Sequence, residues 1–245
     1  MDRYGLIGAD LSHSFSQKYF TQKFAEEGIA AVYENFELAE AAQVQALCRE
    51  NPGIRGLNVT IPFKRDIMAH LDRIDAEAAE VGAVNTIAFR KEGLVGYNTD
   101  VVGFRDSIKP FLAHGMERAL ILGTGGASLA VAYVLKHIGI EVFFASRNPE
   151  GDRQLSYADL NANAMRAFRL IVNTTPLGTW PHVDQKPDLP YAHLGSEHLL
   201  YDLVYNPAMT AFLAEGKARG AIAVNGLSML RIQADHSWRI WQQAV

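Results

Sequence analysis

Leu120-Ile121-Leu122-Gly123-Thr124-Gly125-Gly126-Ala127-Ser128 is the stretch that decides the fold. Residues 119–122 form a short apolar run, the length of a buried parallel strand. Gly123, Gly125 and Gly126 follow at once; Ala127, Val131, Val134 and Ile138 then recur at helical spacing until Gly139 stops the run. Strand, glycine turn and helix in that order open a Rossmann unit. The first glycine permits the tight turn, the second lets the backbone approach a pyrophosphate, and the free N–H groups of the new helix bind the anion. Ser128 stands where a third glycine is usual. The plain alternative is a strand-to-helix turn without a ligand. The flanking strand and helix favour nucleotide binding.

The next strand says which nucleotide. Residues 141–146 are again apolar through Val142, Phe143 and Phe144, and they run into Ser146-Arg147-Asn148. An NAD-binding unit places an Asp or Glu roughly 20 residues past the glycines to bond the ribose 2′-hydroxyl. Arg147 stands there instead, and a guanidinium suits a 2′-phosphate. Ser146 and Asn148 add polar contacts and Arg153 offers a second cation, so NADP is expected over NAD.

Composition narrows the rest. A chain of 245 residues with 49% hydrophobic and 20% charged residues has the make-up of an ordinary globular protein with a real core. A net charge of −4 gives no reason to expect nucleic acid or an anionic membrane as partner. No apolar stretch approaches a membrane span and the opening residues lack a secretory pattern, so a cytoplasmic location is expected. The single cysteine, Cys48, lies in a helical stretch at 41–49 and reads as a packed thiol rather than a nucleophile. The eight histidines show no metal-ligand spacing, and no metal is expected.

Ahead of the glycine unit, residues 4–8 read as a strand followed by a polar loop and a helix carrying Phe20 and Phe24 on one side. Ser14 and Ser16 stand between them. They either cap the helix or offer hydroxyls at a strand end, where open α/β sheets bind ligands. Residues 31–38 and 54–60 read as strands and 40–49 as a helix; Pro62 fits the first turn of a following helix, which leaves Thr60 and Lys64 at a strand-to-helix junction. Residues 76–81 form a helix ended by Gly82, and 83–89 with 94–99 form a hairpin, after which comes Asp100. The break in pattern over 104–116 marks a domain boundary. Later strands are expected at 169–172, 199–204 and 221–224, with a surface loop at 180–194 and a helix at 209–217. From Gly226 on, Leu227, Leu230, Ala234, Trp238 and Trp241 line one helical face.

Over residues 4 to about 234 the chain resembles the shikimate dehydrogenases. The matching motifs are His13-Ser14-Phe15-Ser16, Asn58-Val59-Thr60-Ile61-Pro62-Phe63-Lys64, Gly82-Ala83-Val84-Asn85-Thr86 and Gly96-Tyr97-Asn98-Thr99-Asp100. The glycine turn at 123–127, Asn173-Thr174-Thr175-Pro176 and the run from Asn225 to Gln233 complete them in order. Three departures stand out: Gln17 where the family commonly has Pro, Ser146-Arg147-Asn148 where Asn-Arg-Thr is usual, and a shorter chain.

The resemblance implies NADPH-dependent reduction of 3-dehydroshikimate to shikimate, in the pathway to aromatic amino acids. It implies an α/β fold of two α/β domains flanking a cleft, the second a Rossmann-type NADP-binding domain. A substrate domain is placed at 1–103, joined by a C-terminal helix at about 226–245, and the NADP domain at 104–225. Lys64 and Asp100 are implied as the catalytic pair, and Ser14, Ser16, Thr60, Asn85, Tyr205 and Gln233 as substrate ligands. Gly123, Thr124, Gly125, Gly126, Ala127, Ser146, Arg147, Asn148 and Thr174 are implied to hold NADP, with Leu203 and Gly226 near the nicotinamide.

The chemistry asks for such residues. Ketone reduction needs a hydride at carbon and a proton at oxygen, and the protein must supply the second. A held ammonium polarises the carbonyl and donates, while a carboxylate orients it. The partners expected are shikimate and 3-dehydroshikimate, with the chain a monomer or homodimer. The rival readings are a quinate/shikimate dehydrogenase with relaxed cofactor use and a non-catalytic nucleotide-binding regulator of the same fold.

Overall fold

A computed structural model describes residues 1–12 and 14–243. The chain divides into two compact units, Met1–Thr99 with the stretch from Ala234 on, and Asp100–Gln233.

The first unit carries β1 (Asp2–Gly8), β2 (Ala31–Glu37), β3 (Ile54–Val59), β4 (Arg73–Ile74), β5 (Thr86–Arg90) and β6 (Gly93–Tyr97), in the sheet order β2-β1-β3-β5-β6-β4. β1 runs parallel to β2 and β3, whereas β5 pairs antiparallel with β3 and with β6. From Tyr4 on β1 is apolar and buried because the sheet is covered on both faces. Tyr4 and Leu6 pack with Phe20, Phe24, Tyr33 and Trp241, while Ile7 packs on the other side with Leu57, Val59 and Ile87. Helix α1 (Phe15–Glu26) buries Phe20 and Phe24. Helices α2 (Val44–Glu50) and α3 (Ala76–Val81) follow, and Gly82 ends α3 in the left-handed conformation at φ 74°.

The second unit holds α4 (Asp100–Ile108), β7 (Arg118–Leu122), α5 (Gly126–His137), β8 (Glu141–Ser146), β9 (Gln154–Ser156), α6 (Ala162–Ala167), β10 (Leu170–Asn173), β11 (Leu199–Asp202), α7 (Ala211–Lys217) and β12 (Ile222–Val224). Its sheet is parallel throughout, in the order β12-β11-β10-β7-β8-β9. Counted from β7 and read from the β9 edge, that is the 3-2-1-4-5-6 arrangement of a Rossmann sheet, with its switch point between β7 and β10. Helix α8 (Leu227–Gln242) starts in this unit and ends in the first.

Several elements differ from the sequence reading. Glu40 and Gln43 form a capping box around a 3-10 turn at Ala41–Gln43, so the helix expected from residue 40 begins at Val44. Pro62 does not open a helix: the Ile61–Pro62 peptide is cis, Phe63 N–H donates to Thr60 O at 3.0 Å, and the next helical turn starts at Asp66. Residues 104–108 complete α4 instead of breaking the pattern, because Phe104 and Ile108 both point into the core. β4 and β9 are too short to leave a periodic signal. No helix among the described residues is long and apolar enough to cross a membrane.

Cys48 packs against the core cluster of Val44, Ile54 and Leu57, and burial pushes its thiol up to about 11. Raised by about 2 from its ordinary value, the thiol carries on the order of a hundredfold less reactive thiolate at neutral pH. Iodoacetamide at pH 7.5 is expected to label it slowly in the native protein and quickly in urea, by mass spectrometry. Fast native labelling contradicts the packing described.

Candidate active site

The polar residues singled out in the first unit collect at one end of its sheet. Ser14 and Ser16 follow β1, and Thr60 follows β3, its N–H donating to Ile7 O at 2.9 Å. Asn85 precedes β5, whose antiparallel register (Asn58 opposite Thr86) returns it to the same end. The turn bearing Lys64 is tied there too, because Lys64 O accepts from Val84 N–H at 2.7 Å. Lys64 is half-buried. His13 of the serine motif lies outside the described residues.

The serines divide the roles left open in the sequence. Ser14 is the N-cap of α1, its hydroxyl oxygen accepting from Gln17 N–H at 3.1 Å. Capping uses a lone pair and leaves the hydroxyl proton to donate elsewhere. Ser16 is buried, and its hydroxyl bonds that of Tyr33. Asn85, also buried, accepts at Oδ1 from Thr99 N–H at 2.7 Å and from the hydroxyls of Thr86 and Thr99, each at 3.1 Å.

In the second unit every nucleotide-binding candidate stands at the carboxyl end of a parallel strand, where such sheets bind ligands. Residues 123–127 follow β7, Ser146 ends β8 with Arg147 and Asn148 after it, Thr174 follows β10, Leu203 follows β11 and Gly226 follows β12. Gly123 sits at φ 95°, and a Cβ there would lie 3.0 Å from the Thr175 methyl and 3.3 Å from Thr174 Oγ1. A Cβ at Gly125 would meet nothing within 4 Å, so the backbone leading into α5 is open to a ligand. Ser128, in the place of the third glycine, is fully buried and closes the turn by donating to Gly125 O at 2.6 Å. At Gly226 a Cβ would collide with Leu203 O at 2.1 Å, so glycine there is what brings those two residues together.

Arg147 is exposed beside a turn that Ser146 Oγ stabilises by accepting from Asn148 N–H at 3.2 Å. Arg153, the second cation suggested by the sequence, pairs with Glu141 at 3.3 Å and lies over the Phe143 ring. Asp100 is buried as the first residue of α4. Gln233 is buried on α8 against Gly103, and Tyr205 is half-buried, its phenol pushed up by burial. Asp100, Tyr205 and Gln233 thus belong to the second unit, and the other substrate candidates and Lys64 to the first.

Asp202 went unnoticed in the sequence. Its carboxylate accepts from Asn173 Nδ2 at 2.9 Å, Val204 N–H at 3.0 Å and Thr210 Oγ1 at 2.6 Å. It thereby ties together the loops that present Thr174, Leu203 and Tyr205. Burial pushes its carboxyl up to about 6, and the three donors pull the other way. Tyr33, Asn58, Thr86 and Ser237 were missed as well. The signal was there: Asn58 interrupts an apolar strand, and Ser237 falls between Ala234 and Trp241 on the buried face of α8. Among the described residues no cluster of His, Cys, Asp or Glu is arranged to hold a metal.

Comparison with known proteins bears on the whole chain. Residues 6–87 match the family model described as the shikimate dehydrogenase substrate binding domain. The NADP(+) shikimate dehydrogenase of Carboxydothermus hydrogenoformans is 35% identical, over 97% of this chain and 90% of that protein. The crystal structure of shikimate dehydrogenase 1 from Peptoclostridium difficile aligns at a TM-score of 0.87 with 35% identity, covering 100% of this chain and 93% of that one. The Thermus thermophilus enzyme, solved in complex with NADP(H) and shikimate, aligns at 0.86 with 33% identity, covering 100% and 95%. With a relative this similar along nearly all of its length, the chain belongs to the shikimate dehydrogenase family.

Proposed function

We propose that this chain reversibly reduces 3-dehydroshikimate to shikimate, with Lys64 and Asp100 as its catalytic pair. It is an NADP-dependent shikimate dehydrogenase of the pathway to aromatic amino acids. The observation that carries the reading is the end-to-end likeness to a relative solved with both NADP(H) and shikimate. The rival of a non-catalytic regulator gives no reason for the chain to keep the lysine and aspartate of the family motifs.

The residues present fit NADP. The open backbone at Gly125, the start of α5 and Thr174 suit a pyrophosphate, and the exposed Arg147 suits a 2′-phosphate. Thr124, Gly126 and Ala127 complete the turn, and Ser146 and Asn148 shape the loop around Arg147. Leu203 and Gly226 are assigned to the nicotinamide. NADPH, when bound, supplies the hydride.

The chain's own residues do the rest. Ser14, Ser16, Thr60, Asn85, Tyr205 and Gln233 hold a small, hydroxyl-rich anion through neutral donors and acceptors, without an arginine clamp. Lys64 hydrogen-bonds the ketone oxygen, draws charge onto it and donates the proton as the alcohol forms. Asp100 orients the ammonium. Steady-state rates with shikimate and quinate, each with NADP and NAD, test the assignment. Shikimate with NADP is expected to dominate. Equal turnover of quinate, or equal use of NAD, replaces this reading with the relaxed enzyme.

Ser14 gives a narrower test. Ser14→Ala removes both the cap and the donor, so it is expected to cost about 1 kcal/mol of stability and to raise the KM for shikimate. Ser14→Asp keeps the cap but sets a negative charge where a carboxylate must bind. It should melt like wild type and lose shikimate binding. A Ser14→Asp enzyme with ordinary shikimate KM removes Ser14 from the substrate site.

A further inference from the structure

Behind the implied substrate residues lies a buried polar network that belongs wholly to the first unit. Ser237, near the end of α8, is completely buried. Its hydroxyl lies 2.8 Å from Thr86 Oγ1, 3.1 Å from Thr99 Oγ1 and 3.0 Å from Asn58 Nδ2. Thr86 and Thr99 are the side chains that donate to Asn85 Oδ1. We infer that Ser237 is a positioning residue for substrate recognition, fixing through Thr86 and Thr99 the orientation in which the Asn85 amide meets shikimate. The inference rests on the reading above that Asn85 is a substrate ligand.

The direction of each hydrogen bond can be followed through the network. Burial pushes the Tyr33 phenol far up, so it keeps its proton and donates to Asn58 Oδ1 at 2.8 Å. With its oxygen committed there, Asn58 turns Nδ2 to the hydroxyls of Ser237 and Thr86. Ser237 therefore accepts from Asn58 and lies within hydrogen-bond reach of both threonine hydroxyls. Each threonine then directs its proton to Asn85 Oδ1, which also takes the Thr99 N–H. Three donors on one oxygen settle which end of the Asn85 amide faces inward. The other end of the amide is Nδ2, a donor, which matches an oxygen of a hydroxyl-rich substrate.

Removing the Ser237 hydroxyl breaks this order at its centre. Asn58 loses an acceptor, both threonines lose a partner, and their hydroxyls, 3.3 Å apart, can bond each other in place of Asn85. A buried network with one member missing repacks rather than holding a single arrangement. The effect falls on substrate binding and not on the hydride or proton step, so KM moves and kcat stays near its value.

The test is a double-mutant cycle on the full-length enzyme, read as shikimate KM and kcat at saturating NADP, with melting curves alongside. Ser237→Ala is expected to raise the shikimate KM about five- to tenfold, with NADP KM and kcat within about twofold, as loss of one oriented hydrogen bond predicts. Asn85→Ala is expected to raise it further, and adding Ser237→Ala to that variant should change KM no more. Ser237→Thr, which keeps the hydroxyl, should restore the wild-type KM. If Ser237→Ala does not fold, Ser237→Cys takes its place, keeping the size and weakening the hydrogen bonds. A wild-type shikimate KM in Asn85→Ala overturns the assignment of Asn85 itself. A KM effect of Asn85→Ala with none from position 237, or effects that simply multiply, overturns the role of Ser237 and leaves Asn85 standing.

Discussion

Lys64→Ala is expected to lower turnover by about 10²–10⁴-fold, the span of a lost general acid, while NADP binds as before. The separation follows from where the residues lie. Lys64 sits on the turn after β3 in the first unit, and the nucleotide candidates all sit at strand ends of the second. Because the proton moves only in the transition state, kcat and kcat/KM should fall together. Asp100→Asn keeps the shape of its side chain but removes the charge proposed to orient the ammonium. A drop of about ten- to a hundredfold is expected, from the worth of a hydrogen bond to a charged group. A Lys64→Ala enzyme of near-normal rate removes the lysine from the chemistry.

Arg147→Ala is expected to raise the KM for NADP about ten- to a hundredfold, the equivalent of roughly 1.5–3 kcal/mol for a charge-assisted contact, and to leave that for NAD nearly unchanged. Arg147→Asp goes further, since an acid at this place is what reads the ribose 2′-hydroxyl in NAD enzymes. It should gain NAD turnover as it loses NADP. Equal weakening of both cofactors by Arg147→Ala sinks the assignment.

The glycine turn was legible because its chemistry is local. Gly123 needs its positive φ, Gly125 needs open space, and both demands show as residue types next to one another. The parallel sheet followed from strands too apolar to face water. What stayed hidden was built from residues far apart in the chain. Ser237 meets Asn58 across 179 positions, and Tyr33 meets Asn58 across 25, so neither pairing leaves a pattern within one segment. Asp202 was hidden for a different reason, since a carboxylate that accepts three hydrogen bonds looks in sequence like any aspartate at a strand end. Pro62 misled because a proline before a polar turn has the same composition as a proline that opens a helix.

The placement of α8 also sets an order of events during synthesis. A Cβ on Gly56 would lie 2.3 Å from the Trp241 indole, whose Nε1 donates to Ile87 O at 3.0 Å. The first unit's core is therefore closed by a side chain that leaves the ribosome after all of the second unit. Residues 100–233, an unbroken stretch, are free to fold while the earlier strands still wait for their last partner. Until Trp241 is made the sheet around Gly56 lacks the ring that covers it, so the unit whose strands come first is the one completed last.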